Sequence, residues 1–227
     1  MEFDMRRMAA SDRYKILGST ITPRPIAWIT SLSTEGRVNA APYSFFNCMG
    51  HEPPILAIGM LRHPEDRFKD TPANILATDE FVVHLVSEAV APQMNITCID
   101  APPGVDELAL AGLDTLPSTA VRPPRIATAP VAFECRLHTA VTTGPRQAII
   151  LGEVLVAHVR DDAILDVDRH HVDTPALGLI GRMHGGGWYA RTTDLFSIDR
   201  PQWSSWAPEH PESVARATSG DAAVRDD

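Results

Sequence analysis

The sequence predicts a mainly β protein, a closed or nearly closed β-barrel with a few short helices. Three observations predict it. Short apolar, β-prone runs recur between turn-forming residues. The longest β signal covers residues 129–160 with a single hairpin-like break. Helical signals are brief and do not alternate with strands, which sets aside a doubly wound parallel sheet.

In chain order, residues 25–31 (PIAWITS) are apolar and β-prone, and the polar turn Ser33-Thr34-Glu35-Gly36 predicts a hairpin into residues 37–43. Residues 54–60 (PILAIGM) and 81–86 (FVVHLV) are apolar runs bounded by breakers, as buried strands are. VAFECRLHTAV and QAIILGEVLVAHV flank Thr143-Gly144-Pro145-Arg146, which predicts a second, longer hairpin. Helices are predicted at 72–78 behind a cap-like Thr71, at 87–99 with a break at Pro92, and as a brief turn at 105–111. After Pro201 the composition turns to Pro, Ser, Ala and acid. Residues 1–200 are therefore expected to form one domain. Residues 201–227 are expected to form a tail, flexible or docked on a neighbouring subunit, with Trp203 and Trp206 as its anchors.

At 227 residues the chain can bury a substantial core, and 44% apolar with 22% charged residues is ordinary globular composition. No run approaches the roughly 20 apolar residues of a spanning helix, and residues 1–18 lack the apolar core of a secretion signal, so a cytoplasmic location is the expectation. Cys48, Cys98 and Cys135 form no CxxC pair and read as buried small hydrophobes, not as a disulfide framework or zinc site. The net charge of −9 resides mainly in residues 161–173 and 201–227, and no basic stripe is visible, which argues against a nucleic-acid partner.

A GxSxG elbow, a P-loop, an HExxH helix and a GxGxxG fingerprint are all missing. Nine histidines are scattered, and only His170-His171 are adjacent; a charged surface loop explains that pair better than a metal site. Two stretches have a direct physical reading. In Arg67-Phe68-Lys69-Asp70-Thr71-Pro72-Ala73-Asn74 a proline follows a capping residue at a helix start. Free N–H groups, the helix dipole and Lys69 there suit an anion, although an ordinary capped helix reads the same way. In residues 37–47 (RVNAAPYSFFN) small residues admit close backbone approach while Asn39, Ser44 and Asn47 offer hydrogen bonds beside aromatic rings. This suits a planar ligand, or simply a strand entering a tight turn.

Taken together, ITPRPIAWITS, NAAPYSFFN, EPPILAIG, KDTPANI and EFVVHLV, then AIILGEV and LGLIGRMHGGGWY, resemble the flavin reductase-like, FMN-binding split-barrel family over about residues 15–201. The resemblance implies a Greek-key split β-barrel, a homodimer, and one FMN near each subunit boundary. By matching position, Trp28, Thr30 and Ser31 would line the flavin, and Asn39, Ala41, Pro42, Tyr43 and Ser44 would contact its ring and ribityl chain. Lys69, Asp70 and Thr71 would hold the phosphate. Arg182, His184 and Tyr189 would approach from the C-terminal motif, Arg182 and His184 as the candidate catalytic helpers. No resident metal is implied. Departures are His84, where the family pattern leads one to expect Asn, the variable segment 102–125, and the extension after Pro201.

The activity implied is transfer of a hydride from NADH or NADPH to FMN, with reduced flavin passed to a partner monooxygenase. Two alternatives stand beside it: FMN retained as a prosthetic group for a specific small molecule, and a non-enzymatic flavin-binding electron carrier. NADH and NADPH are not separated by any ribose-reading residue.

Overall fold

Seven antiparallel strands account for most of the backbone pairing in the computed structural model, which describes residues 1–61, 68–102, 104–145 and 147–218. In chain order the elements are α1 (Ala10–Thr20), β1 (Ala27–Leu32), β2 (Val38–Tyr43), β3 (Phe46–His51), β4 (Pro54–Leu61), α2 (Asp70–Thr78), β5 (Glu80–Leu85), α3 (Ala91–Ile96) and α4 (Glu107–Leu110). There follow the short β6 (Thr115–Leu116) and β7 (Arg125–Ile126), the long β8 (Val131–Gly144) and β9 (Gln147–Val159), and then β10 (Ile164–Asp166), β11 (His171–Val172), β12 (Ile180–Arg182) and β13 (Tyr189–Arg191). Two further helices are α5 (Trp203–Glu209) and α6 (Pro211–Thr218). One compact unit comprises Met1–Thr193, and a second begins at Asp194.

The large sheet has the order β2-β1-β5-β8-β9-β4-β3. Its two edge strands, β2 and β3, are consecutive in the chain and separated only by Ser44 and Phe45, so the sheet must curl until its edges meet. At that corner the Gly59 N–H donates to the Phe45 carbonyl at 2.7 Å, extending the β3–β4 ladder by one residue toward β2. The mainly β, split-barrel class is therefore observed, with few and short helices between strands.

β1 explains why its sequence shows no polar alternation. Ala27 and Ile29 point into the barrel interior with Ile58, Met60, Phe81, Val83 and Ile150. Ile26 and Trp28 point the other way, into a second core with Met94, Leu108, Ile126 and Ile180. A strand buried on both faces reads as a continuous apolar run.

The chain between β5 and β8 is tied to the outer wall of the barrel by buried side chains. Trp28 Nε1 donates to Thr97 Oγ1 at 3.0 Å, and Thr30 Oγ1 donates to the Pro124 carbonyl at 2.6 Å. His84, the departure from the family pattern, is fully buried: its Nδ1 lies 2.8 Å from the Trp28 carbonyl, and its Nε2 accepts the Ile126 N–H at 2.9 Å. That pair of partners fixes the neutral Nδ1–H tautomer. Glu134, also fully buried, accepts the N–H groups of Thr119, Ala120 and Val121 and pairs with His158 Nε2 at 2.6 Å.

Among the elements that escaped the sequence reading are β3 and α1. β3 is mostly exposed and contributes backbone pairing to β4, with an irregularity between Cys48 and Gly50, so it carries no apolar periodicity. α1 buries only Gly18, and its C-terminal carbonyls are held from outside. Arg24, 6% exposed, donates to the carbonyls of Gly18 (2.6 Å), Ile21 (2.8 Å) and Met183 (2.8 Å). Arg24→Ala is expected to cost about 1–2 kcal/mol by leaving these carbonyls without donors. Limited trypsin digestion at Arg13 and Lys15 should then quicken selectively; cleavage at the parental rate would show that α1 is held by something else.

In the second unit, the segment read as a tail is helical where described. Trp203 and Trp206 lie one turn apart with ring centroids 6.3 Å apart, and His210 stacks on Trp206 at 4.2 Å. Pro211 begins α6, where its missing N–H is not needed.

Candidate functional site

The site is built around Pro42 and Tyr43, at the open edge of β2. An edge strand tolerates proline because its outward N–H has no sheet partner to serve. Here Ala40, Ala41 and Pro42 present backbone with little side chain. Two clefts meet at Pro42 and Tyr43, of about 460 Å³ and 470 Å³. Cys98 borders both.

The first cleft runs from Asn39 along β2 to the start of α2. The helix begins at Asp70, with Lys69 in the capping position and no side chain capping it, so its first N–H groups are available to a ligand. Thr71 is thus inside the helix and not its cap. Its Oγ1 accepts from Asn39 Nδ2 at 2.7 Å, which locks strand and helix together under the cleft. Lys69 Nζ pairs with Asp100 Oδ1 at 2.9 Å. Arg67, the first residue of the anion-binding stretch read from sequence, lies outside the described residues.

The electrostatics keep this cleft's tyrosine neutral. Burial, reinforced by the charges of Asp70 and Glu107, pushes the Tyr43 hydroxyl up to about 12. Burial also raises Glu107, whose Oε2 accepts the Ala40 N–H at 3.2 Å. At neutral pH Tyr43 therefore keeps its proton and can donate one hydrogen bond.

The second cleft is lined by Ile26, Met94, Ser44, Arg182 and Tyr189 together with Tyr14. Arg182 stands 4.9 Å from the centre of the Tyr189 ring, and its Nη1 is buried without a hydrogen-bond partner among the described residues. Ser44 Oγ lies 3.4 Å from Arg24 Nε. Burial pushes the Cys98 thiol up, against the pull of Arg182, so it stays protonated.

The structure brings most of the sequence-derived candidates together. Asn39, Ala41, Pro42, Tyr43, Lys69, Asp70 and Thr71 line the first cleft, and Ser44, Arg182 and Tyr189 the second. Trp28, Thr30 and Ser31 line neither and are 0% exposed. Trp28 and Thr30 bond to Thr97 and to the Pro124 carbonyl, and Ser31 Oγ accepts from Asn74 Nδ2 at 3.1 Å, so these side chains are committed within the wall behind the clefts. His184 also lines neither; it is exposed, 5.9 Å from the Trp188 ring. Asp100, Glu107, Cys98 and Tyr14 escaped the sequence reading. Their helices and loops carry no recognisable motif, and only the packing of α3 and α4 against β2, and of Tyr14 on Phe45, brings them to the site.

Known proteins resemble this chain over most of its length. Residues 18–174 match the family described as flavin reductase like domain. An uncharacterised protein of Deinococcus radiodurans is 44% identical over 208 residues, covering 90% of this chain and 91% of its own. The crystal structure of 2-nitrobenzoate 2-nitroreductase from Pseudomonas fluorescens is 34% identical with a TM-score of 0.81, covering 89% of this chain and 98% of that one. Nitrilotriacetate monooxygenase component B from Bacillus cereus is 30% identical with a TM-score of 0.82, covering 87% and 98%. With the barrel fold and the matched span in agreement, this chain belongs to the flavin reductase-like family.

Proposed function

We propose that the protein is an FMN-dependent oxidoreductase that draws electrons from NADH or NADPH and works as a homodimer in the cytoplasm. The observation that carries this reading is the junction of two clefts at Pro42 and Tyr43, one ending on a helix start without a side-chain cap and the other on Arg182, whose Nη1 has no hydrogen-bond partner among the described residues. Their volumes fall in the range of cofactor sites. The residues present fit FMN: a wall of small residues for the ring, and free N–H groups with Lys69 for a phosphate. When bound, FMN supplies the redox chemistry, taking up electrons from a nicotinamide and passing them on.

The chain's own residues bind and orient. Lys69, Thr71 and the first N–H groups of α2 would hold the phosphate, with Asp70 orienting them. Asn39, Ala41, Pro42, Tyr43 and Ser44 would flank the ring and ribityl chain, with Tyr43 as a neutral donor. Tyr189 and Arg182 would close the far side. Lys69→Ala and Thr71→Ala should each raise the Kd for FMN about tenfold, the loss of one charge-assisted hydrogen bond. Unchanged affinity in a fluorescence-quenching titration would move the phosphate elsewhere.

Delivery of reduced flavin to a flavin-dependent monooxygenase is supported by the likeness to component B of nitrilotriacetate monooxygenase. A second reading keeps FMN on the protein and reduces a specific small molecule there. Arg182 and the likeness to 2-nitrobenzoate 2-nitroreductase favour it. One experiment separates the readings: add NADH or NADPH anaerobically to the purified protein, with and without extra FMN, and follow the flavin bands. Bleaching that needs added FMN supports a diffusible flavin, and bleaching of retained flavin supports the second reading. Absence of FMN binding at micromolar concentration would sink both.

A further inference from the structure

We propose that the second cleft is a subsite for a small planar carboxylate, held by Arg182. Four observations carry this. Arg182 Nη1 is buried without a hydrogen-bond partner among the described residues, and a buried donor without an acceptor is rare in a native fold. None of the residues lining the cleft is acidic, so the charge as well as the N–H lacks a counterpart there. Arg24, close by and 6% exposed, bonds to the carbonyls of Gly18, Ile21 and Met183 and approaches Ser44, which leaves a second positive charge unneutralised by these partners. Finally, part of the wall is apolar or flat, formed by Ile26, Pro42, Met94 and the rings of Tyr43 and Tyr189, while the polar groups beside it, such as Ser44 and Asn95, are uncharged.

The guanidinium is held in place before any ligand arrives. Arg24 and Arg182 exchange backbone hydrogen bonds at 2.9 Å and 2.8 Å. Gly181 lets β12 lie directly on Pro23, since a Cβ there would sit 2.7 Å from Pro23 Cβ. The Tyr189 ring supports the guanidinium plane at 4.9 Å. A fixed guanidinium with one unpartnered N–H, on a cleft that has flat faces and no acidic residue, selects a ligand with an oxygen anion at one end and a flat body. The same donor offered to a neutral amide acceptor would leave the charge unmatched.

This inference rests on the oxidoreductase reading for what the bound molecule undergoes, and on the cleft alone for its binding. The test is calorimetric titration of the full-length protein, with and without FMN, using benzoate, benzamide and inorganic phosphate as probes. Saturable benzoate binding at least tenfold tighter than either benzamide or phosphate is expected. In Arg182→Gln that preference should vanish, and in Arg182→Lys it should be partly kept. Equal binding of benzoate and benzamide to the parent protein overturns the proposal without recourse to any variant, and so do equal binding of phosphate, absence of benzoate binding, and an unchanged benzoate affinity in a folded Arg182→Gln. Benzoate binding that depends on Arg182 in a protein that takes no FMN would uphold this subsite while the flavin reading failed.

Discussion

Replacing Gly152 with alanine is expected to destabilise the barrel by about 2–3 kcal/mol, the upper range for overpacking a core. Gly152 lies on β9, and a Cβ there would sit 2.3 Å from Cζ of Phe81. Phe81 is fully buried among Ile58, Ile75, Val83 and Ile150, so its ring has no free space to enter. The melting temperature should fall by roughly 5–10 °C, read by circular dichroism. Adding Phe81→Leu to Gly152→Ala should recover more than half of the loss, because it removes the atom that clashes. A single Gly152→Ala variant that melts within about 1 °C of the parent would show that the barrel yields locally and would refute the account.

Acidification is expected to weaken the fold in two stages, the first governed by His84. Burial outweighs the hydrogen bond to the Trp28 carbonyl and lowers His84 to about 4, against 6.5 for a free side chain. Above pH 6.5 the imidazole is neutral in both folded and unfolded chains, and its contribution is complete. Between pH 6.5 and about 4 the unfolded chain binds a proton that the native one refuses, so stability falls as pH falls, by about 3 kcal/mol in all. Glu134 acts lower. Burial alone would raise it, but the N–H groups of Thr119 and Ala120 and the neighbouring His158 hold its carboxyl below the ordinary value of 4.5. Its contribution is present above that value and is lost as pH drops through the lowered pKa. Both groups clamp residues 119–126, so amide exchange at Thr119, Ala120, Val121 and Ile126 should quicken first. His84→Gln should lower stability at neutral pH yet flatten its dependence between pH 6.5 and 4. An unaltered slope in that variant would place the titrating group elsewhere.

The strands legible in sequence are those with two buried faces or a strong turn beside them. Residues 25–31, 37–43, 54–60 and 81–86 each fall within two residues of β1, β2, β4 and β5, and the 143–146 break matches the turn between β8 and β9. β3 and α1 were hidden because their partners are backbone groups and a guanidinium just beyond the helix, which leave no periodic trace. The same logic divides the site. NAAPYS and KDT stand out because close backbone approach and an open helix start need small residues and a proline at set places. Trp28, Thr30 and Ser31 lie in the equally legible 25–31 run, yet the pairing of β1 with both β2 and β5 buries them in the wall.

Local chemistry along the chain determined the class of fold, the first cleft and the family, since turn residues, strand periodicity and a helix start act over a few neighbours. Tertiary structure alone decided which of those residues face the clefts, because burial depends on what packs across the strand. It also set the tautomer of His84, the clamp on Glu134 and the solitary guanidinium of Arg182, each the product of groups far apart in sequence brought together where water is excluded.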